Sequence, residues 1–512
     1  MPTPLILAAR QALLHFETAA GAAWELTIIP VAYYLLFGEH MSSTDMSQSP
    51  GSAIKLNAQQ VLIGGARKDL IATIKNTWLA KLYMSTLRKY PCFKALDIFI
   101  WQWGGARCLL PIYKRLSLRL ALKKYPYGSL LTSFSDKSDS CLVSTETIVE
   151  PQRTQVEAPK IYSDRSYNLA QPFLLEYQFP PIHVHVVDEA WVYGGSNLIF
   201  TTQSVFCHDL YDFSRDYTSE ELHGRHFYSK KKNSVYVLLR DPTPLTIPFA
   251  AACLDACAQN YAHFLTEVLP RITLFCSLEQ YSSIPLIIDA NLHNNLLEAI
   301  AGVVGPSRVV YLLPIGRAIK CGLLLSISAT GYVPFDQRNY RLINFRQGQF
   351  CAHALKRVKD NVSLESLNKS PKLDYPEKIF VQRESSVRRL VNSQQIEHLL
   401  TQHGFSLIDT GKLNFHEQVA LFSQAKVIIG PTGAAMANAM FCQPGTEIGI
   451  LMATHKHMIY NYWPSMLSPL KIRVSYLLGR IVANRSRGIH GDFFVAESSI
   501  NEFITEIDRS FH

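Results

Sequence analysis

The chain has 512 residues, 48% of them hydrophobic and 18% charged. That length allows two or three domains with sizeable cores, and the composition excludes both global disorder and a disulfide-stapled miniprotein. The net charge of +9 is unevenly spread: between Val61 and Tyr127 thirteen basic residues, Arg67 to Lys124, face only Asp69 and Asp97, which leaves the remainder slightly acidic.

Taken in chain order, the first apolar run is Leu26 to Phe37, which at twelve residues with Pro30 inside is too short to span a bilayer as a helix. The pattern of a secretory leader is absent, and the ten cysteines, none in a CxxC pair, read as reduced thiols. Residues 1–131 read as a basic, largely helical N-terminal region in which Trp78, Trp101 and Trp103 are interleaved with the charges. Two readings stay open for it. One is a helical domain with solvated charges; the other is a surface that lies on anionic lipid, with the protein cytoplasmic and peripheral on the inner face of the plasma membrane. Nucleic acid is not expected as a partner, since no helix-turn-helix, zinc or RNA-binding signature accompanies the charge.

Residues 132–171 are rich in Ser, Thr and Asp with Pro151 and Pro159, and read as a linker. From residue 172 to 360 a β-rich segment ("IHVHVV", "AWVYGG", "NLIFTT", "SVYVLLR") leads into alternating helices and strands: "YAHFLTEVLPRITLFCSL" helical, "IPLIID" a buried strand, "NNLLEAIAGVVG" a helix, "RVVYLL" a strand. After the polar stretch Asn361 to Tyr375, the alternation returns over residues 361–512 with "KIFVQR", "SQQIEHLLTQHG", "FSLIDT", "FHEQVALFSQA", "KVIIG" and "GTEIGIL". The fold class is therefore α/β, with two doubly wound, Rossmann-like domains facing a cleft.

Three segments carry the candidate chemistry. In "KVIIGPTGAAMANAMFCQPG" an apolar strand ends at Gly430, and Thr432, Gly433, Ala434, Ala435 and Asn438 lead into a helix whose free N–H groups suit an anion; a tight structural turn is the competing reading. In "IFVQRESSVRRLVN" a strand end presents Arg383, Ser385, Arg388, Arg389 and Asn392, and guanidinium groups of this kind form bidentate bonds to phosphate oxygens. In "NYAHFLTEVLPRI" His263 and Glu267 share one helical face, flanked by Asn260, Tyr261 and Arg271, as a general base and its orienting partner would. The chain has no Asp-x-Asp, P-loop, HExxH or GxSxG motif, and the His183/His185 pair lacks an evident third metal ligand.

Together these segments resemble the catalytic domain of glycosyltransferase family 61. The family's helix Asn-Tyr-x-His-Phe-x-x-Glu-x-x-Pro-Arg is met by Asn260, Tyr261, His263, Phe264, Glu267, Pro270 and Arg271. Its Arg/Ser-rich turn and following Asn look like Arg383 to Asn392, and the Gly-Phe pair is Gly404 and Phe405. Its Gly-Pro-x-Gly-Ala-x-x-x-Asn loop is matched by Gly430, Pro431, Gly433, Ala434 and Asn438, with Pro444 and Gly445 closing the pattern. Thr432 stands where the family often has His, and Ile450 where it often has Glu. The resemblance implies a GT-B-like architecture and inverting transfer from a nucleotide-sugar, UDP-linked in the usual case. It also implies no cofactor and no essential metal, and as acceptor a glycan or lipid-linked glycan in surface or capsular polysaccharide synthesis. His263 and Glu267 would then be catalytic, with Asn260, the Arg383–Asn392 cluster and the Gly430–Asn438 loop binding the donor. The alternative is a degenerate transferase fold serving as a sugar-binding or scaffold protein.

Overall fold

The computed structural model describes residues 60–62, 129–134, 140–165, 173, 175–210, 226–229, 234–237, 241, 243–333, 348–369, 374–385, 387–455, 460–483 and 490–511. It is a mixed α/β structure. Apart from Gln60–Leu62, a strand, and Ser129–Leu131, part of another, the basic N-terminal region lies outside the described residues.

Four parallel strands form the centre of the first sheet, in the spatial order Val310–Leu313, Leu286–Asp289, Leu245–Ala252 and Ala318–Ile327. Gln60–Leu62 adds in parallel beyond Val310–Leu313, and the long antiparallel strand Ile182–Tyr193 pairs along Ala318–Ile327. "IHVHVV" and "AWVYGG", read as separate strands, are therefore one continuous strand. Numbered along the chain from Leu245, the four central strands have the order 3-2-1-4. The direction of winding reverses between Leu245–Ala252 and Ala318–Ile327.

The second sheet runs Ser406–Ile408, Lys378–Val381, Val427–Pro431, Glu447–Ala453, Arg473–Ala483, all parallel, with Asp492–Phe494 antiparallel at the end. Its order is 2-1-3-4-5, and winding reverses between Lys378–Val381 and Val427–Pro431. These strands read as continuous apolar runs because both faces are covered by helices. Ile428, Ile448, Ile450 and Leu477 are fully buried.

Composition misplaces two stretches. Residues 132–171, expected to be a linker, contain the strands Leu142–Val149, Gln152–Gln155 and Lys160–Ser163; the first pairs with Ile182–Tyr193 and the last adds in parallel to Arg473–Ala483. This segment therefore stitches both sheets. Leu142–Val149 is exposed from Val143 to Thr147, and polar residues on so exposed a strand are what made it look like linker. The polar stretch from Asn361 begins inside a helix, Ala352–Lys369, rather than in a connection. No disulfide joins the described cysteines, and no helix among the described residues is long and apolar enough to cross a membrane.

Candidate functional site

Open α/β sheets bind ligands outside the carboxyl ends of their strands, where the winding reverses. In the second sheet that place is formed by the loops after Val381 and Pro431, and there Arg383 meets the glycine-containing loop. Its Nη1 donates to the Thr432 carbonyl at 2.8 Å and its Nη2 lies 3.4 Å from Ser385 Oγ. Arg383 forms no ion pair among the described residues. Burial, followed by the nearby charge of Arg388, lowers its pKa to about 10. Arg383, half-buried beside the like charge of Arg388, has the chemistry that suits an anion. Arg388 sits in the left-handed region at φ 54°, a conformation costly for a residue with a Cβ and one that recurs at functional turns.

The glycine of this loop accommodates a neighbouring side chain. A Cβ on Gly433 would lie 3.1 Å from Arg383 Nε, so the missing side chain makes room for the arginine rather than directly for a ligand. Gly430 lies within the strand, where a Cβ would meet Met436 Sδ at 2.7 Å, and so serves packing. The segment that follows, Ala434–Phe441, is a 3-10 helix rather than an α-helix. Thr432 Oγ1 accepts from Trp463 Nε1 at 3.2 Å, and Ile450 is core.

Two expected donor-site residues are engaged elsewhere. Arg389 clamps the buried carboxylate of Asp492 through Nε at 3.1 Å and Nη2 at 2.8 Å, and its own amide binds the same side chain. Asn392 donates to the Val495 carbonyl at 2.8 Å. Both fasten the turn to the segment around Phe493, and spacing alone could not separate these structural partners from Arg383 and Arg388. Asn260 is also used structurally: its side chain accepts from the Ala262 amide and caps the next helix.

That helix is not the uniform one expected. Tyr261–His263 is α-helical, Phe264–Val268 is a π-helix, and Leu269–Cys276 returns to α. Pro270 has no N–H to give the Thr266 carbonyl, and its ring disfavours the preceding turn, so the chain widens there instead of continuing. Within this wide turn His263 Nδ1 lies 2.7 Å from Glu267 Oε1. Burial raises the Glu267 pKa above its usual value, and His263 opposes the shift. The imidazole thus has one nitrogen held by a carboxyl group, the arrangement that fixes a tautomer and supports proton transfer at the other nitrogen. Arg271 locks the turn in place: its Nε donates to the Glu267 carbonyl at 2.9 Å and its Nη2 to the Leu254 carbonyl at 3.0 Å and Asp255 Oδ2 at 3.2 Å.

Tyr261 connects the two sites, since its hydroxyl donates to Asn438 Oδ1 at 2.7 Å while Asn438 Nδ2 donates to Gln418 Oε1 at 2.6 Å. Asn438, expected to touch ligand, is fully buried and acts as this strut. The structure adds residues that the sequence did not single out. Asp255 follows the carboxyl end of Leu245–Ala252, a position that could have flagged it. Tyr462 comes from a distant helix, and the charge of Glu267 acts on it, second to burial, in raising its pKa; nothing local in the sequence announces that contact.

Compared with curated proteins the chain finds no match. Residues 261–449, which run from the His263 helix through the Gly433 loop, match the family model Glycosyltransferase 61.

Proposed function

We propose that the protein is an inverting glycosyltransferase that moves a hexosyl or pentosyl unit from a UDP-linked sugar to a glycan or lipid-linked glycan hydroxyl, with the two sheets acting as a GT-B-like pair. The observation that carries this reading is the pairing of two groups within the matched stretch: a half-buried Arg383 that forms no ion pair among the described residues, at one switch point, and the His263–Glu267 pair tied to the same loop through Tyr261 and Asn438.

In a single displacement the acceptor oxygen attacks the anomeric carbon on the face opposite the diphosphate. The acceptor O–H proton passes to the Nε2 nitrogen of His263 as the bond to the diphosphate oxygen breaks. Glu267 holds the imidazole and balances its positive charge. Arg383 and Arg388 take the charge that develops on the departing diphosphate, which is where preorganised cations lower a barrier most. This chemistry needs no essential metal. The basic segment between Val61 and Tyr127 supports a seat on the anionic inner face of a membrane, and such a seat fits synthesis of a surface or capsular polysaccharide.

A thermal-shift panel with UDP, GDP, CMP and NAD tests the donor assignment, because a ligand that binds only the native state raises its apparent stability. A selective shift with UDP is expected. The absence of a shift with every nucleotide would point to the scaffold alternative.

A further inference from the structure

The Arg383 loop and the His263 turn have a second connection, through the start of the helix Tyr462–Leu467. Trp463, a core residue, donates through Nε1 to Thr432 Oγ1 at 3.2 Å, and both partners are buried. The Thr432 amide donates to the Leu451 carbonyl at 2.9 Å, so Thr432 is held at its backbone and at its side chain. Its remaining polar atom, the carbonyl oxygen, receives Arg383 Nη1 at 2.8 Å. A guanidinium anchored in this way on one edge keeps its other N–H groups for an anion, in an orientation that the indole of Trp463 helps to set.

The residue before Trp463 reaches the other group. Tyr462 stands edge-on to Trp463, with ring centres 4.8 Å apart, and edge-on to Phe350 at 5.6 Å. Phe350 closes on Gly331, where a Cβ would stand 2.6 Å from its ring and 2.9 Å from the Thr266 carbonyl. These contacts set the phenol against the wide turn that carries Glu267, whose charge acts on it. The phenol oxygen is buried and makes no hydrogen bond among the described residues. Thr266 has no proton to give it, because that hydroxyl donates to the Ala262 carbonyl at 2.9 Å. A buried hydroxyl without a partner is costly and rare, so a use for it is expected. Its hydrogen can turn towards Glu267, which holds His263 with one carboxyl oxygen and has a second that accepts. In a buried setting that dipole favours the charged carboxylate which an imidazolium needs beside it.

We infer that Trp463 and Tyr462 are positioning residues, Trp463 for Arg383 through Thr432 and Tyr462 for the carboxyl of Glu267, so that one helix turn holds the donor site and the acid–base pair in a single frame. The inference rests on the transferase reading.

Its test combines UDP affinity by calorimetry, a melting curve, and UDP release from UDP-glucose, UDP-galactose, UDP-xylose and UDP-N-acetylglucosamine, all on the full chain. Trp463→Phe and Thr432→Val each remove one side of the indole–hydroxyl bond and should weaken UDP binding about fivefold. The double variant should also lose about fivefold, and not the roughly 25-fold of independent sites. Thr432→Ser keeps the hydroxyl and should retain the wild-type affinity. Tyr462→Phe deletes only the unpartnered oxygen; it should melt no lower than the wild type and bind UDP as well, while its kcat falls about fivefold. A merely structural role would lower the melting temperature without separating kcat from affinity. Because Thr432→Val conserves shape, it keeps the Arg383 arm decisive if Trp463→Phe folds poorly. Unchanged UDP affinity in Thr432→Val, additive losses in the double variant, or full turnover by a folded Tyr462→Phe protein would overturn the inference. A wild type that binds no UDP, or that binds it and cleaves no donor, removes the transferase reading and the inference with it. UDP binding and turnover by the wild type with unaltered variants removes the inference alone.

Discussion

The hydroxyl of Tyr261 and the side-chain oxygen of Asn438 are joined at 2.7 Å, 177 residues apart in the chain, and this bond fastens the helix that carries His263 to the loop that holds Arg383. Asn438 is completely buried and Tyr261 partly so, which makes the loss of the bond costlier on the asparagine side. Tyr261→Phe should lower stability by about 0.5 to 1.5 kcal/mol, the net value of a hydrogen bond, while Asn438→Ala should lower it by about 1 to 3 kcal/mol because it strands the tyrosine hydroxyl. Urea denaturation of the two variants checks the order; equal effects would mean that Gln418, 3.3 Å from the same hydroxyl, takes over fully.

Within the arginine cluster Arg389 is bonded to Asp492, whereas Arg383 meets the Thr432 carbonyl of the glycine-containing loop. Arg383→Met should weaken UDP binding by about 1.5 to 3 kcal/mol, the range for a charge-assisted bond, and Arg388→Ala should do the same. Arg389→Ala should leave UDP affinity unchanged and lower the melting temperature, because its partner is the buried Asp492. Titration calorimetry alongside thermal melts reads both, and a loss of affinity in the Arg389 variant would return that residue to the site.

Gly433 is predicted to act through its neighbour. A methyl group there would stand 3.1 to 3.4 Å from three atoms of the Arg383 side chain, and its φ of 175° is open to any residue, so Gly433→Ala strains contacts and not backbone. The variant should fold with near-normal stability and bind UDP about 10-fold more weakly, a consequence of displacing one charge-assisted donor. Normal affinity would show that Arg383 moves aside freely.

The Glu267 carboxyl gives a pH signature. Its pKa is raised in the folded state, chiefly by burial, above the usual value near 4.5. A folded-state pKa above the unfolded one favours the native state below the unfolded value, and this contribution is lost as pH rises through the folded value. Glu267→Gln removes the titration. The melting temperature of the variant should therefore gain on that of the wild type as pH rises from about 4 to about 8. A gap that stays constant, or that moves the other way, would mean that His263 outweighs burial.

The alternation from Leu286 to Ala453 was legible because buried parallel strands and amphipathic helices have distinct apolar periods. The His263–Glu267 pairing was legible for a similar reason, as four residues on a helix bring side chains together even through a wide turn. What the sequence hid were features decided by remote partners. Lys160–Ser163 reads as linker until Arg473–Ala483 is there to pair with it. Arg383 and Arg389 look equivalent in a string, and only Asp492, about a hundred residues away, separates them. The π-turn at Phe264–Val268 follows from Pro270, a local signal that helical periodicity masks.

The central claim is that His263 removes a proton from the acceptor while the Arg383 site holds the donor. The direct test is UDP release from a panel of UDP-sugars, measured for the wild type and for His263→Ala with UDP affinity determined in parallel. The account predicts release from at least one donor, a fall in kcat of about 10²- to 10⁴-fold in the variant, the usual contribution of a general base, and unchanged UDP affinity. Full turnover by the His263→Ala protein, or UDP binding by a wild type that releases nothing from any donor with sugar acceptors present, would contradict it.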